Sequence, residues 1–180
     1  NTPIILDPVG AGVGLFRMSS AVRIIDQTRV SVIRGNASEI LSLRRNDLKT
    51  KGMDAIHTVD AAAEIAGILA SEIQATLAIT GPMDLVTDGE RTIRVANGHP
   101  LMGYVTGTGC VSTATIGAFL AVDDDRVSAT AAALAFFGLA GEKAGEKAAA
   151  PGSFKSALID ALYTITPADL AMGARFEGNH

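Results

Sequence analysis

The stretch Val30-Ser31-Val32-Ile33-Arg34-Gly35-Asn36-Ala37-Ser38-Glu39-Ile40 joins a strand pattern to the start of a helix. Its β-branched residues at 30–33 predict a buried strand, which we expect the pair Arg34-Gly35 to break. Asn36 is expected to cap a short helix, because Glu39 stands at the third helical position, as in a capping box. The stretch therefore predicts one strand–helix unit with an arginine at the end of its strand.

Similar units flank this stretch on both sides. Apolar runs at 3–6 and 77–80 predict two more buried strands. Ser19 is expected to cap the helix after the first strand, and the apolar spacing at 60–72 predicts another helix. Strands that alternate with helices predict a parallel, layered α/β sheet, and near-continuous apolar strands predict helices on both of its faces.

The rest of the chain predicts a hairpin, a loop and further helices. Asp88-Gly89 lies between short strands at 85–87 and 92–95, a pattern typical of a β-hairpin. The charged residues at 44–51 predict a loop-like insertion. Four helical segments are expected: one from Gly107-Thr108-Gly109-Cys110 to about 122, an Ala-rich one over 126–148 that Pro151-Gly152 breaks, an amphipathic one over 154–163, and a last turn from Pro167.

Composition excludes several classes of protein. The 180 residues suit a single α/β domain spanning 1–180, and the formal net charge of -4 lacks the basic footprint of a nucleic-acid binder. One cysteine excludes an intramolecular disulfide or a cysteine metal cluster, and His57, His99 and His180 show no ligand spacing. No apolar stretch is long enough to predict a membrane span, so we expect a cytoplasmic protein without membrane partners.

The predicted sheet indicates where a ligand binds. Ligands of such sheets lie beyond the carboxyl ends of the strands, where Asp7, Arg34 and Thr80 stand, so these three are expected to converge on one crevice. Arg34 suits a phosphate clamp, although a lone arginine is also commonly solvated. Asp7 and Glu39 suit Mg²⁺ held partly through water beside phosphates. Glu39 fits a capping role equally well, and the two roles are compatible.

Two glycine-rich segments differ in what they predict. Residues 10–14 read G-x-G-x-G, which is neither a dinucleotide fingerprint nor a phosphate-binding loop with Lys-Ser/Thr, and a tight turn explains them equally well. Thr106-Gly107-Thr108-Gly109-Cys110 opens a helix, whose first N–H groups and positive dipole end suit a transferring phosphoryl group. Cys110 stands in the first turn, a position that favours a thiolate, but a buried structural cysteine is the alternative.

Several stretches together resemble the hydroxyethylthiazole kinase family, which belongs to thiamine salvage and to the ribokinase-like superfamily. The likeness covers most of the chain in matching order. It rests on Leu6-Asp7-Pro8-Val9-Gly10-Ala11-Gly12, the opening stretch at 30–40, Ala78-Ile79-Thr80-Gly81, Asp84-Leu85-Val86-Thr87-Asp88-Gly89, Asn97-Gly98-His99-Pro100-Leu101-Met102 and Val105-Thr106-Gly107-Thr108-Gly109-Cys110. The resemblance implies a ribokinase-like three-layer α/β/α fold with a mostly parallel central sheet. It also implies ATP-dependent phosphorylation of the primary hydroxyl of 4-methyl-5-(2-hydroxyethyl)thiazole.

The resemblance also implies roles for single residues. Arg34 and Thr80 would contact ATP, and Asp7 and Glu39 would serve the magnesium ion and the phosphates. Gly107 would lie against the thiazole alcohol. Cys110 would be the catalytic base at the position where ribokinase relatives use an aspartate, and phosphoryl transfer tolerates a modest base. The anion hole would be formed by Gly107, Thr108, Gly109 and Cys110.

The sequence departs from the family pattern in two places. The family usually carries a Thr-Pro-Tyr/Phe-Arg-like segment where this chain has Val13-Gly14-Leu15-Phe16-Arg17, which we expect to alter the shape of the loop and not the chemistry. The family's N-terminal third, with early strands of the sheet and part of the thiazole pocket, has no counterpart before Ile4. We therefore expect the missing part to be a separate N-terminal segment, a disordered one, or a part of the protein that precedes this sequence. The resemblance also implies a homotrimer with active sites between subunits.

Rival hypotheses remain at this stage. A hydroxymethylpyrimidine kinase or another ribokinase-like kinase would share the Gly-Thr-Gly-Cys turn, but Arg34-Gly35-Asn36 replaces the Thr-Pro-Asn segment usual in that relative. A second rival is an inactive nucleotide-binding fragment, which the absent N-terminal third favours. A third and weaker rival is an oligomerisation or scaffold domain.

Overall fold

The computed structural model describes residues 2–43 and 59–178. The predicted insertion at 44–51, His57 and His180 lie outside these residues.

Six strands form one sheet in chain order. The first three strands are parallel, and each later strand pairs antiparallel with its predecessor. The predicted α/β class is confirmed, and the sheet is mixed because the predicted hairpin extends it with antiparallel pairs. The strands are β1 (Ile5–Leu6), β2 (Val32–Asn36), β3 (Thr76–Thr80), β4 (Asp84–Thr87), β5 (Thr92–Val95) and β6 (Phe176–Glu177).

Helices cover both faces of this sheet. They are α1 (Leu15–Gln27), α2 (Ala37–Ser42), α3 (Val59–Ile73), α4 (Thr108–Leu120), α5 (Arg126–Gly145), α6 (Pro151–Thr164) and α7 (Pro167–Gly173), with a short 3-10 helix at Pro100–Tyr104. Side chains alternate along a strand. Val32 therefore packs with α4 and α5, whereas its neighbour Ile33 packs with α1, α2 and α3. The result is the expected three-layer arrangement, with an apolar core on each face and a further apolar cluster between α5 and α6.

Two local predictions are wrong, each for a physical reason, and a third element ends a few residues before its predicted end. Strand β2 runs through Arg34 and Gly35, because Gly35 pairs with Ile79 and its missing side chain leaves room for Glu39. Helix α1 begins after Gly14, so Ser19 is not its cap, and the Ser19 hydroxyl donates to the Phe16 carbonyl instead. The Ala-rich helix ends at Gly145, before the predicted residue 148.

Other predicted elements are confirmed with small shifts of their bounds. Asn36 caps α2, and Glu39 completes the capping box. The β4–β5 hairpin and α7 stand where the sequence predicts them. Pro151 occupies the first position of α6, where its missing N–H costs nothing.

The sheet has two edges that we name for later use. The upper edge lies at the carboxyl ends of β1, β2 and β3 and carries Asp7, Arg34 and Thr80. The lower edge carries the hairpin turn at 88–91 and Asp125, whose carboxylate meets Arg91. Helix α4 begins at the upper edge and α5 at the lower edge. Within 2–43 and 59–178, no helix is long and apolar enough to cross a membrane.

Candidate active site

Arg34 is the centre of the upper edge. Its Nη2 donates to Thr80 Oγ1 at 2.7 Å, and its Nη1 donates to Asp7 Oδ2 at 3.5 Å. The side chains of Arg34 and Asp7 are each 14% exposed. The structure thus brings together the three residues that the strand ends predict to converge, although Arg34 lies inside β2 and not beyond it.

Asp7 has a further partner that the sequence did not indicate. Thr113, on the second turn of α4, donates its hydroxyl to Asp7 Oδ2 at 2.9 Å. Thr113 stands four residues after Gly109 and therefore lies on the same face of the helix, and this spacing is the sequence signal that could have predicted the contact. Asp7 Oδ1 and Arg34 Nε are buried, and neither has a hydrogen-bond partner among the described residues. Burying a polar atom without a partner is costly, so both atoms are poised for a ligand.

Glu39 closes the glycine-rich turn over α2. Its Oε1 accepts the Gly10 N–H at 2.9 Å, and its Oε2 accepts the Asn36 N–H at 3.0 Å. Gly10 has φ +70°, and a Cβ there would overlap the guanidinium of Arg17. The capping role of Glu39 is confirmed. Both of its oxygens already accept backbone N–H groups, so its predicted role as a magnesium ligand stays a prediction.

The turn at 107–110 begins α4. Gly107 is the helix N-cap at φ +98°, in the left-handed region that favours glycine, and no atom lies within 4 Å of its would-be Cβ. Thr108 donates its hydroxyl to the carbonyls of Met102 and Val105, each at 3.1 Å, which fixes the start of the helix. The first turn of such a helix presents N–H groups that have no intrahelical acceptor.

Gly109 brings this helix start against Arg34. A Cβ at Gly109 would lie 2.6 Å from Arg34 Nη1, so only glycine admits the guanidinium in its present place. Cys110 follows with an exposed side chain, which rules out the alternative of a buried structural cysteine. An arginine fork and a helix N-terminus thus face the same space, an arrangement suited to a phosphate group.

A cavity of about 600 Å³ opens beside these residues. Asp84 lines it and accepts the Gly81 N–H on Oδ1 at 2.9 Å. Burial raises the pKa of Asp84 to about 6, against the opposing effects of the Gly81 hydrogen bond and the Arg34 charge. Asp84 is half-buried, and the sequence pointed to it only as part of a motif, because nothing in the chain predicts its burial. The walls also include Arg34, Thr80, Asn97, His99 and Gly109.

The carboxylates of the upper edge fit a magnesium ion whose other ligands are phosphate oxygens and water. The described residues contain no cluster of three or more His, Cys, Asp or Glu side chains able to cage a metal. Mg²⁺ usually takes one or two carboxylates and completes its shell with phosphate oxygens and water. The unpartnered Asp7 Oδ1 suits such a ligand.

Comparisons with known proteins agree with one another. The model of the "Hydroxyethylthiazole kinase family" matches residues 1–168. The chain is 59% identical to a hydroxyethylthiazole kinase of Desulfotalea psychrophila over 98% of its own length and 64% of the relative's. It is 49% identical to one of Desulfosudis oleivorans over 91% of its own length and 60% of the relative's. The chain therefore spans less than two thirds of these relatives.

A solved structure shows the same fold. The hydroxyethylthiazole kinase protein from Pyrococcus horikoshii OT3 superposes with a TM-score of 0.86 at 42% identity. The match covers 99% of this chain and 66% of that one.

Proposed function

The chain belongs to the hydroxyethylthiazole kinase family, and on that premise we propose that the protein is an ATP-dependent kinase of 4-methyl-5-(2-hydroxyethyl)thiazole in thiamine salvage. The observation that carries the proposal is Arg34, enclosed between Thr80 and Asp7 and pressed against Gly109 at the start of α4. The names of the relatives at 59% and 49% identity support the substrate.

In this proposal Arg34 and Thr80 bind the phosphates of ATP. The guanidinium offers a planar fork of donors that suits phosphate oxygens. The turn formed by Gly107, Thr108, Gly109 and Cys110 supplies N–H groups to the transferring phosphoryl group. Phosphoryl transfer depends largely on positioning and on stabilisation of spread negative charge, which these fixed donors provide.

Cys110 is proposed as the base that receives the proton of the alcohol. The hydroxyl oxygen of the thiazole bonds to the γ-phosphorus while the bond from that phosphorus to the bridging oxygen of ADP breaks. The released proton passes to the Cys110 thiolate. The exposed position of Cys110 and the open space beside Gly107 support an alcohol placed between them.

Magnesium is proposed as the metal that accompanies ATP, where it neutralises phosphate charge. Asp7 would hold it through the unpartnered Oδ1. Glu39 would act through water, because both of its oxygens already accept backbone N–H groups.

We also propose that the partners of the chain are further copies of itself, in a homotrimer with active sites between subunits. The side chains of Val13, Leu15 and Phe16 support an assembly face, since each is more than 80% exposed beside the glycine-rich turn. A contiguous exposed apolar patch commonly marks an interaction surface. Light scattering should give three times the chain mass, and a monomer that turns over substrate would refute the trimer.

One assay separates this proposal from its rivals. The protein is incubated with ATP, Mg²⁺ and either the thiazole alcohol or hydroxymethylpyrimidine, and ADP and phosphorylated alcohol are measured. The proposal predicts turnover of the thiazole alcohol, and preference for the pyrimidine alcohol would indicate the related kinase. ATP binding without turnover would favour the inactive nucleotide-binding fragment. The chain covers 64% of the relative from Desulfotalea psychrophila, which is consistent with that alternative. No binding and no turnover would favour a scaffold domain.

A further inference from the structure

Residues 97–102, which we call the wall segment, form one side of the upper cavity. Asn97, Gly98, His99 and Met102 all line it. The segment follows β5 and enters the short 3-10 helix, where His99 Nδ1 accepts the Leu101 N–H at 3.2 Å. The ring of His99 stacks on Phe154 of α6 with 5.4 Å between ring centroids. None of these contacts explains what fixes the start of the segment.

Helix α5 is shaped to receive the wall segment. A Cβ at Gly138 would lie 2.5 Å from the Asn97 carbonyl oxygen, and Cβ atoms at Gly141 and Gly145 would overlap Met102 and the His99 ring. Glycine inside a helix is disfavoured relative to alanine. Three glycines on one face of an otherwise Ala-rich helix therefore mark a close approach that larger residues would prevent.

Glu142, on the same helix, fixes the start of the segment. Its Oε1 accepts the Gly98 N–H at 2.8 Å and the Asn97 Nδ2 at 3.2 Å. Burial acts to raise the pKa of Glu142, but hydrogen bonds from Arg175, Gly98 and Asn97 outweigh it and hold that pKa below its ordinary value. The carboxylate is thus a charged acceptor for a backbone N–H of the cavity wall.

Arg175 completes this arrangement from the chain's far end. Its guanidinium donates to both oxygens of Glu142 and, through Nη2, to the Ala96 carbonyl at 2.9 Å. Its backbone N–H donates to Asn97 Oδ1 at 2.7 Å, while Asn97 Nδ2 donates to the Gly173 carbonyl at 2.9 Å. Asn97 is buried, so each of these polar contacts is needed to satisfy it.

The adjacent residue of α5 provides a natural control. Lys143 donates to Asp169 Oδ1 at 3.0 Å and so also ties the C-terminal region to α5. Among the described residues, neither side chain of this pair forms a hydrogen bond with the wall segment. The two neighbouring ion pairs therefore share a fastening role, but only the Glu142–Arg175 pair touches the cavity wall.

We propose that Glu142 and Arg175 are positioning residues, which set the wall segment at the distance from Arg34 that a bound nucleotide needs. This inference rests on the proposed function, because it takes ATP as the ligand of the upper cavity. A purely structural fastening would stabilise the fold without any specific effect on nucleotide affinity.

The test compares Glu142→Ala with Lys143→Ala in the same chain. ATP affinity is measured by titration calorimetry, and backbone hydrogen exchange at Gly98 by NMR. Loss of a charged acceptor predicts about tenfold weaker ATP binding and at least tenfold faster exchange at Gly98 for Glu142→Ala. Lys143→Ala should change both by less than twofold. Glu142→Gln keeps an acceptor oxygen and should restore most of the affinity. If Glu142→Ala does not fold, Arg175→Ala takes its place, because it removes the guanidinium that holds Glu142 and the Ala96 carbonyl, and it should likewise weaken ATP binding and speed exchange at Gly98.

The outcomes are decisive in each direction. Equal ATP affinities in the Glu142 and Lys143 variants, or unchanged exchange at Gly98, would overturn the inference. If the unaltered chain binds no ATP, the proposed function fails. The exchange measurement then still separates the two questions: faster exchange confined to Glu142→Ala supports the positioning of the wall, and equal exchange in both variants overturns it.

Discussion

Both edges of the sheet carry an arginine paired with an aspartate, but the two pairs differ in the polar atoms that they leave without a partner. At the lower edge, Arg91 donates to both oxygens of Asp125, at 2.8 and 2.7 Å, and its side chain is 46% exposed. At the upper edge, the Arg34 and Asp7 side chains are each 14% exposed, and Arg34 Nε and Asp7 Oδ1 are buried with no hydrogen-bond partner among residues 2–43 and 59–178. The guanidinium at the lower edge is thus bound by a carboxylate through both oxygens, whereas the upper edge keeps two polar atoms that suit a ligand.

Cavity size alone would favour the lower edge. The cavity beside Arg91 and Asp125 measures about 730 Å³, against about 600 Å³ beside Arg34. An exposed ion pair contributes little energy, because water screens both charges. Enclosed polar atoms are costly to leave unpaired, so their presence is the stronger indicator of a binding site.

The largest effect on ATP kinetics is expected from Arg34→Ala, and Arg91→Ala at the other edge is its control. Arg34→Ala should raise the KM for ATP or lower kcat at least tenfold, because a charge-assisted contact to phosphate is worth roughly 1.5–3 kcal/mol. Arg91→Ala should leave the ATP kinetics within twofold and lower the melting temperature slightly. Steady-state kinetics at varied ATP concentration measure both. Unchanged kinetics in Arg34→Ala would remove that residue from the site.

Cys110→Ser probes the chemical step at the upper edge. A serine hydroxyl is a much weaker proton acceptor than a thiolate, so kcat should fall more than the KM for the thiazole alcohol changes. Kinetics at varied alcohol concentration give both constants. A change in thermal stability alone would show that Cys110 has only a structural role.

Gly109→Ala should produce a smaller loss at the upper edge. The new Cβ would lie 2.6 Å from Arg34 Nη1 and push the guanidinium away from Thr80. We expect ATP binding to weaken several-fold while the helix itself gains propensity. Gly152→Ala is the matched control, because nothing lies within 4 Å of its would-be Cβ. Equal ATP affinities in the two variants would contradict the close contact between Gly109 and Arg34.

The last comparison concerns the pH dependence of stability at the two edges, where no effect on ATP binding is measured. Burial raises the pKa of Asp84 to about 6, so the folded state holds this proton more tightly than the unfolded state. The free energy of unfolding should fall as pH rises from about 4 to about 6, by at most about 3 kcal/mol. Asp84→Asn should abolish that fall, and denaturant titrations across this range measure it. An identical pH profile in both proteins would contradict the burial of a titrating Asp84.

Asp125 provides the opposite case at the lower edge. Hydrogen bonds from Arg91 and Ser128 hold its pKa below the ordinary range, so its contribution is present above that range and is lost as the pH falls. Asp125→Asn should lower the free energy of unfolding above pH 4 by a similar amount at each pH, and stability should then fall less steeply in acid than in the unaltered protein. An equally steep fall of stability in acid in both proteins would contradict this assignment.

Local patterns in the sequence predicted much of the fold. The capping box of Asn36 and Glu39 is a contact over three residues, and the hairpin around Asp88-Gly89 is equally local, so both were readable. The extension of β2 through Gly35 was not, because pairing with Ile79 depends on a strand far along the chain. The start of α1 was placed too late, at Ser19, because its N-cap residue is Gly14, which has no side chain to mark the start of a helix.

The part of the site that depends on the order and direction of the strands was predictable from the sequence. Parallel strands end at one edge, which brought Asp7, Arg34 and Thr80 together on paper and in the structure. Thr113 and Asp84 escaped prediction, since their roles depend on helix rotation and depth of burial. The contacts of Glu142 also escaped prediction, because its partners stand more than 30 residues away along the chain in both directions.

A crystal structure with Mg²⁺ and a non-hydrolysable ATP analogue tests the central claim most directly. The account predicts phosphate oxygens within hydrogen-bond distance of Arg34 and of the backbone at the start of α4, with the metal against Asp7. Triphosphate bound in the larger lower cavity, beside Arg91 and Arg126, would contradict it.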